Sequence, residues 1–339
     1  MIKCIFIFFI TITISSCNLN KKISHYSDDI LDRKYDNSYS ANYLTANYSI
    51  NKGDAYTASQ ILEKNLENTK LLEIKFISNL VSGKFETASK VSNKLQDNDN
   101  YIYKLPNYIL EIKKGNLKES LNVFKDEQSF FDLSSLNNLI KFWIDHTENK
   151  NKHLLEKSLQ NTSIHKLLIL ENFHNSKKLS KIADYIYNKD DLTILDTLLL
   201  AGFYFRIQNI EKTEKLILSR LSNQFDKLYI IKNFSKDVNM FSRVQSLQNI
   251  LAFKTYNIAN KKSLKSHTDY KYPKVLLEFS LFLNPKLDIS KYFLAEIYHL
   301  EKMNDIAIRY LDAINKDSYF FLAANLKKLT IIKAEGMSQ

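Results

Sequence analysis

Glycine and proline are nearly missing from this chain: five and three residues in 339, against about forty together in an average composition of that length. Sheets, hairpins and phosphate-cradling loops are punctuated by these two residues, because their turns need φ > 0 or a preset φ. A fold with many tight turns is thereby disfavoured. Hydrophobic residues make up 45% and charged residues 25%, enough for a substantial core and far from the composition of a disordered chain. Length alone suggests two domains, whereas a repeat architecture of this size forms one continuous stack.

From Ala41 onward the apolar periodicity is helical. Leu179, Ile182, Ala183 and Ile186, and again Ala307, Tyr310, Leu311 and Ile314, are spaced i, i+3, i+4, i+7, which places one stripe on one helix face. Tyr292 to Leu300 is apolar on most sides and reads as a helix packed between neighbours. Isoleucine and 12% aromatic residues raise local strand propensity, but period-two alternation is not sustained and hairpin dipeptides are missing. The chain is expected to be all-α.

Gly53, Gly83 and Gly115 lie 30 and 32 residues apart, each at the end of one helical pattern and just before another. A glycine there can adopt the αL conformation that closes a helix. Five positions after each stands a small residue, Ala58, Ala88 or Ser120, which would let two paired helices approach closely. Ala201-Gly202-Phe203-Tyr204, followed by Gln208-Asn209-Ile210 and Thr213, reproduces the third unit with glutamine at the glycine place. Leu283-Asn284-Pro285 reads as the end of a repeat, since proline cannot continue the preceding helix. Tyr292 to Ile314 reads as one further unit, with Ala307 as its small packing residue. Asn149–Asn151 and Phe173–Ser176 read as degenerate turns, and 216–270 carries no assignable repeat.

This arrangement resembles the tetratricopeptide repeat (TPR), whose turn runs Gly-Asp-Tyr-x-x-Ala and whose period is about 34 residues. The resemblance spans 41–334 and implies an α-solenoid of degenerate TPR-like helix-turn-helix repeats with an extended concave groove. The first helix of each pair lines the groove in that family. By this resemblance Tyr43, Asn47 and Glu73 are groove-binding candidates; the structural alternative is that Tyr43 packs against the next helix.

The N-terminus has a different character. Met1-Ile2-Lys3 is a short positive start, and Cys4 to Ile14 is almost wholly apolar, a signal-peptide pattern covering 1–16. About eleven apolar residues are roughly half of what a transmembrane helix needs. Ile14-Ser15-Ser16-Cys17 resembles the lipobox of bacterial lipoproteins. That resemblance makes Cys17 the first residue of the mature protein and the site of lipidation. The only other cysteine, Cys4, lies in the removed segment, so no disulfide can form in the mature chain. Residues 17–40 are polar and read as a tether, with a reach on the order of 25 Å for about twenty flexible residues. Asn18 follows the cysteine; in lipoproteins an aspartate there favours inner-membrane retention, so the resemblance leans toward the outer membrane, facing the periplasm. A lipobox followed by degenerate TPRs is similar to the TPR-containing envelope lipoproteins of Gram-negative bacteria.

The net charge is +11, nearly all of the excess lysine; the five arginines are Arg33, Arg206, Arg220, Arg243 and Arg309. Scattered lysine lacks the planar fork that reads bases and phosphates, so nucleic acid is not an expected partner. Neither GxGxxG nor GxxxxGK[ST] occurs, so no nucleotide loop and no cofactor is expected. No CxxC or HExxH spacing suggests a metal site. The histidines are scattered singly; His146 and His153 are seven apart, with a turn expected between them. Asp28-Asp29 and Asp190-Asp191 sit in polar connections, where caps and turns are the usual role. Trp143, the single tryptophan, lies in an apolar helical stretch and reads as core. The expected function is a non-enzymatic, lipid-anchored scaffold or adaptor that holds a protein or peptide partner, attached to the membrane through its N-terminal lipid. The alternative is an envelope lipoprotein that binds peptidoglycan or another glycan.

Overall fold

The computed structural model describes residues 39–63, 69–95, 101–124, 133–149, 163–221, 227–233, 243–263 and 269–336. The signal segment 1–16, Cys17 and nearly all of the tether lie outside the described residues, as do Asp28, Asp29, Asn151, His153 and His267.

The described residues are all-α, without a strand. The N-terminal part comprises α1 (Tyr39–Asn51), α2 (Ala55–Ile61), α3 (Thr69–Val81), α4 (Phe85–Ser92), α5 (Leu105–Lys114) and α6 (Leu117–Val123). The middle comprises α7 (Leu133–Asn149), α8 (Ile164–Phe173), α9 (Ser180–Tyr187), α10 (Ile194–Arg206), α11 (Ile210–Arg220) and α12 (Lys227–Lys232). The C-terminal part comprises α13 (Leu247–Ser263), α14 (Lys271–Leu283), α15 (Asp288–Leu300), α16 (Asn304–Asp312) and α17 (Phe321–Gly336). Single 3₁₀ turns at Tyr101–Lys104 and Ser176–Leu179 lead into α5 and α9.

Among the described residues, five helix junctions share one geometry. The chain turns through a left-handed residue at Gly53 (φ 92°), Gly83 (74°), Gly115 (85°), Gln208 (63°) and Lys302 (63°). The next N–H reaches back to cap the preceding helix: Asp54 to Ser49, Lys84 to Asn79, Asn116 to Glu111, Asn209 to Tyr204 and Met303 to Tyr298, all at 2.8–2.9 Å. This is a Schellman closure, which satisfies carbonyls that the helix end leaves orphaned. Five positions after each left-handed residue, Ala58, Ala88, Ser120, Thr213 and Ala307 are completely buried. Glutamine and lysine accept the left-handed conformation at a cost of about 1 kcal/mol, because the shared capping bonds hold the turn.

Each such junction joins a packed helix pair: α1–α2, α3–α4, α5–α6, α10–α11 and α15–α16. Successive pairs pack in chain order through α2–α3, α4–α5 and α6–α7. Between Phe173 and Ser176 the backbone is extended at His174 and Asn175 caps the 3₁₀ turn, a different turn from the other five. A bidentate pair, Arg206 Nε and Nη2 on Glu171 at 2.8 and 2.7 Å, ties α10 to α8.

The chain then departs from a simple end-to-end stack. α13 packs on α7 and α8, and α14 on α3 and α5, far back in the sequence. Both helices are buried on nearly every side. Along α14 the residues at i and i+4 meet the first two turns, and the residue at i+8 meets the end of α5. Lys274 Nζ donates to the Gly53 carbonyl at 3.2 Å, Glu278 lies against Gly83, and the Phe282 carbonyl accepts from Lys113 Nζ at 2.6 Å. Phe279 and Phe282 meet Phe85 edge-on at 6.3 and 5.2 Å. The turn edge of the first two pairs is therefore covered by the chain's own helix, while the turn at Gly115 stays exposed. α14 is too apolar to stand in water, and its Lys274 and Glu278 find polar partners at this edge. Closure extends to the last pair: Tyr56 of α2 carries the Arg309 guanidinium of α16 at 5.2 Å from its ring centroid.

Candidate functional site

A cleft of about 130 Å³ opens where the start of α8, the α9–α10 connection and the middle of α13 converge. Local sequence explains each wall. Ser163 caps α8, accepting from the Lys166 N–H at 3.4 Å. Thr193 opens α10 with a capping box, its hydroxyl accepting from the Asp196 N–H at 3.1 Å and its own N–H donating to Asp196 Oδ2 at 3.3 Å. On α13, Lys254, Asn257 and Lys261 fall at i, i+3 and i+7 on the face turned to the cleft.

The floor is a buried polar network. The Thr193 hydroxyl donates to Asn257 Oδ1 at 2.9 Å, and Asn257 Nδ2 donates to Asp196 Oδ1 at 2.7 Å. The same Nδ2 stands 3.4 Å from His165 Nε2, while His165 Nδ1 is buried with no hydrogen bond of ordinary geometry. Burial lowers the His165 pKa to about 4, and the charges of Lys254 and Lys261 add to the depression, against an opposing pull from Asp196. The ring is thus neutral at physiological pH.

Above that floor stand Lys189, Lys254 and Lys261, with Asp191 at the rim. Burial dominates the histidine's depression; the cleft's positive character rests on three lysines against Asp191 and Asp196 in its lining. Three lysines in the lining of a small concave space favour an anionic group such as a carboxylate, and the Lys189 ammonium lies 5.0 Å from the Tyr185 ring centroid. Neither His165 ring nitrogen hydrogen-bonds a hydroxyl, and Ser163 Oγ is engaged as a helix cap. Among the described residues no group of three or more His, Asp or Glu side chains is placed to hold a metal ion.

A second buried polar cluster joins α14 to the last helix pair. The Tyr310 hydroxyl donates to the Glu278 carboxyl, and Tyr310 stacks on Tyr298 with ring centroids 5.6 Å apart. Burial pushes Glu278 up to about 7, with the Tyr310 hydrogen bond opposing.

The sequence-derived candidates lie elsewhere. Tyr43 is half-buried against Ala46, Ile50, Ala58, Leu62 and Leu71, the packing role left open above. Asn47 is half-buried one turn further along α1, and Glu73 is exposed on α3. None of the three lines the cleft. Trp143 is half-buried, packed on the main core and edge-on to Phe173 at 5.5 Å. His146 is buried on α7 beside Phe142 and Phe173, its Nδ1 2.7 Å from the Phe142 carbonyl.

The cleft residues escaped sequence reasoning because α13 is buried on most sides, mixes polar with apolar residues and shows no single stripe. The available signal was local: Lys254 and Asn257 break the largely apolar run from Ile250 to Ala259, and Lys261 follows them at helical spacing. No protein-family model matches the chain, and no curated protein matches its sequence.

Proposed function

We propose that the chain is a lipid-anchored, TPR-like scaffold of the bacterial envelope, held at the outer membrane through Cys17, that docks an acidic segment of a partner protein in the Lys189–Lys254–Lys261 cleft. The observation that carries the scaffold reading is the recurrence of one turn. A left-handed residue, a Schellman closure and a completely buried small residue five positions on occur together five times. Repeat units of this kind bury their apolar faces only against neighbours, and their surfaces serve as docking platforms. The positive cleft supplies the complement for an acidic peptide. The Cys17 anchor rests on the lipobox resemblance.

Cross-linking in intact cells tests this reading, with three proteins compared: wild type, Cys17→Ala behind a cleavable secretory signal, and Lys254→Glu/Lys261→Glu. The expected result is a protein partner captured by the wild type, reduced by loss of the anchor and lost on charge reversal. Capture indifferent to the cleft charges, or retention of the purified mature domain on cell-wall sacculi at high salt, overturns it; the second result favours the glycan alternative.

A further inference from the structure

The outer face of α17 is apolar although nothing among the described residues covers it. Leu322, Leu326 and Leu329, at i, i+4 and i+7, are 48%, 54% and 63% exposed, and Ile332 extends the band at 47%. The opposite face, with Ala323, Ala324 and Ile331 buried, seats the helix on α16. Lys327 reaches Glu296 at 3.8 Å and Lys328 reaches Asp312 at 2.5 Å, so both flanks are tied to the body. The Asn304 side chain donates to Glu335 at 2.8 Å and fixes the far end. The leucines therefore form a rigid ridge, held outward by contacts on three sides. Lys333 points along the same band, on the basis of its helical position, and is exposed.

We infer that this ridge is a membrane-surface element: α17 lies in the interfacial region of an anionic bilayer, with its leucines in the acyl boundary and Lys333 at the headgroups. Three observations favour lipid over other occupants. The face is one exposed apolar stripe along a helix, which can lie in the plane of a bilayer interface. The chain carries a net charge of +11, which complements an anionic surface. A second copy would bring the same charge. A 16-residue helix, about 24 Å long and about 10 Å wide, also falls well short of the roughly 800 Å² per partner of a stable interface. The inference is independent of the cleft.

The test is flotation of the full mature protein carrying Cys17→Ala, so that no acyl chain contributes. It is mixed with vesicles of phosphatidylcholine alone or with about one-third phosphatidylglycerol, beside a Leu322→Asn/Leu326→Asn/Leu329→Asn variant whose changes all lie at exposed positions. The expected result is flotation with the anionic vesicles, weakened at least about ten-fold in the variant at an unchanged thermal midpoint. A wild type that floats with neither vesicle, or a variant that floats as well as the wild type, overturns the inference. So does a wild-type dimer, seen by sedimentation, that the leucine substitutions dissolve while vesicles remain unbound. Lys254→Glu/Lys261→Glu should float less strongly only by its lost charge, keeping the leucine dependence, so failure of the cleft reading leaves this one standing.

Discussion

Lys274 of α14 and Glu301 of the α15–α16 turn form a 2.7 Å ion pair in which the lysine side chain is completely buried and the glutamate only 17% exposed. Burial lowers the Lys274 pKa, and Glu301 opposes that shift. The ammonium also reaches the Gly53 carbonyl and lies 4.9 Å from the Tyr298 ring centroid. One side chain thus joins the first turn, the central helix and the last pair. Removing Glu301 leaves a buried charge without its counter-ion, which typically costs about 3–5 kcal/mol. Glu301→Gln is expected to lower the denaturation midpoint substantially. Lys274→Met/Glu301→Gln should recover much of the loss, because an apolar replacement of a buried pair is often close to neutral. A double variant no more stable than the single one would show that the pair is not the element that matters.

The five turns rank themselves. Gly115 sits at φ 85° with nothing within 4 Å of an added Cβ, so Gly115→Ala should cost only the left-handed penalty of about 1–2 kcal/mol. At Gly83 the added Cβ would fall 2.6 Å from Glu278 Oε2 and 3.1 Å from its Cβ, on a side chain held by Tyr310. Gly83→Ala is expected to cost clearly more, with the carboxylate part of the excess removed in a Glu278→Ala background, which keeps the 3.1 Å contact to Cβ. Gln208→Gly and Lys302→Gly relieve the penalty at their left-handed positions and should raise stability by up to about 1 kcal/mol. Calorimetric melting of the four variants checks the order.

Glu278 and His165 give stability opposite dependences on pH. Glu278 titrates near 7 when folded, against 4.5 as its ordinary value. Its contribution is present below about 4.5 and is lost as pH rises through about 7, because the unfolded chain releases the proton first; the loss is on the order of 3 kcal/mol. His165 titrates near 4 when folded, against 6.5. Its contribution is present above about 6.5 and is lost as pH falls toward 4. The two slopes nearly cancel between about pH 4.5 and 6.5, so Glu278→Gln should unmask the His165 dependence: the variant gains stability as pH rises to about 6.5 and no longer loses it toward pH 7. An unchanged profile in the variant would mean that the folded carboxyl titrates normally.

How much of this was legible depends on where each element buries its side chains. The turns at Gly53, Gly83 and Gly115 are readable because one residue type supplies the left-handed conformation and a small residue follows at fixed spacing. The turn at Lys302 carries no such letter, since lysine is held left-handed only by its neighbours; the helical pattern from Tyr292 to Ile314 and Ala307 pointed to the unit without naming its turn residue. α13 and α14 are buried all round and so lose the one-sided stripe on which periodicity depends. Their packing on α3, α5, α7 and α8 is a long-range relation that no local pattern encodes. The cleft inherits that invisibility, because α13 brings Lys254, Asn257 and Lys261 to it from a stretch without a repeat.

His165 also makes the cleft measurable without knowing its partner. Its pKa is lowered by burial first and by Lys254 and Lys261 in addition, so whatever cancels those two charges should let it rise. Lys254→Met/Lys261→Met is expected to raise the His165 pKa while leaving it below 6.5, since burial remains. In the wild type, inorganic phosphate or a glutamate-rich peptide seated among the lysines should produce a similar upward movement, followed by nitrogen NMR of the imidazole. The same additions should leave the double variant unmoved, because its cleft no longer carries the charges that attract an anion. A histidine that responds equally in both proteins would place the anion elsewhere and remove the cleft as the docking site.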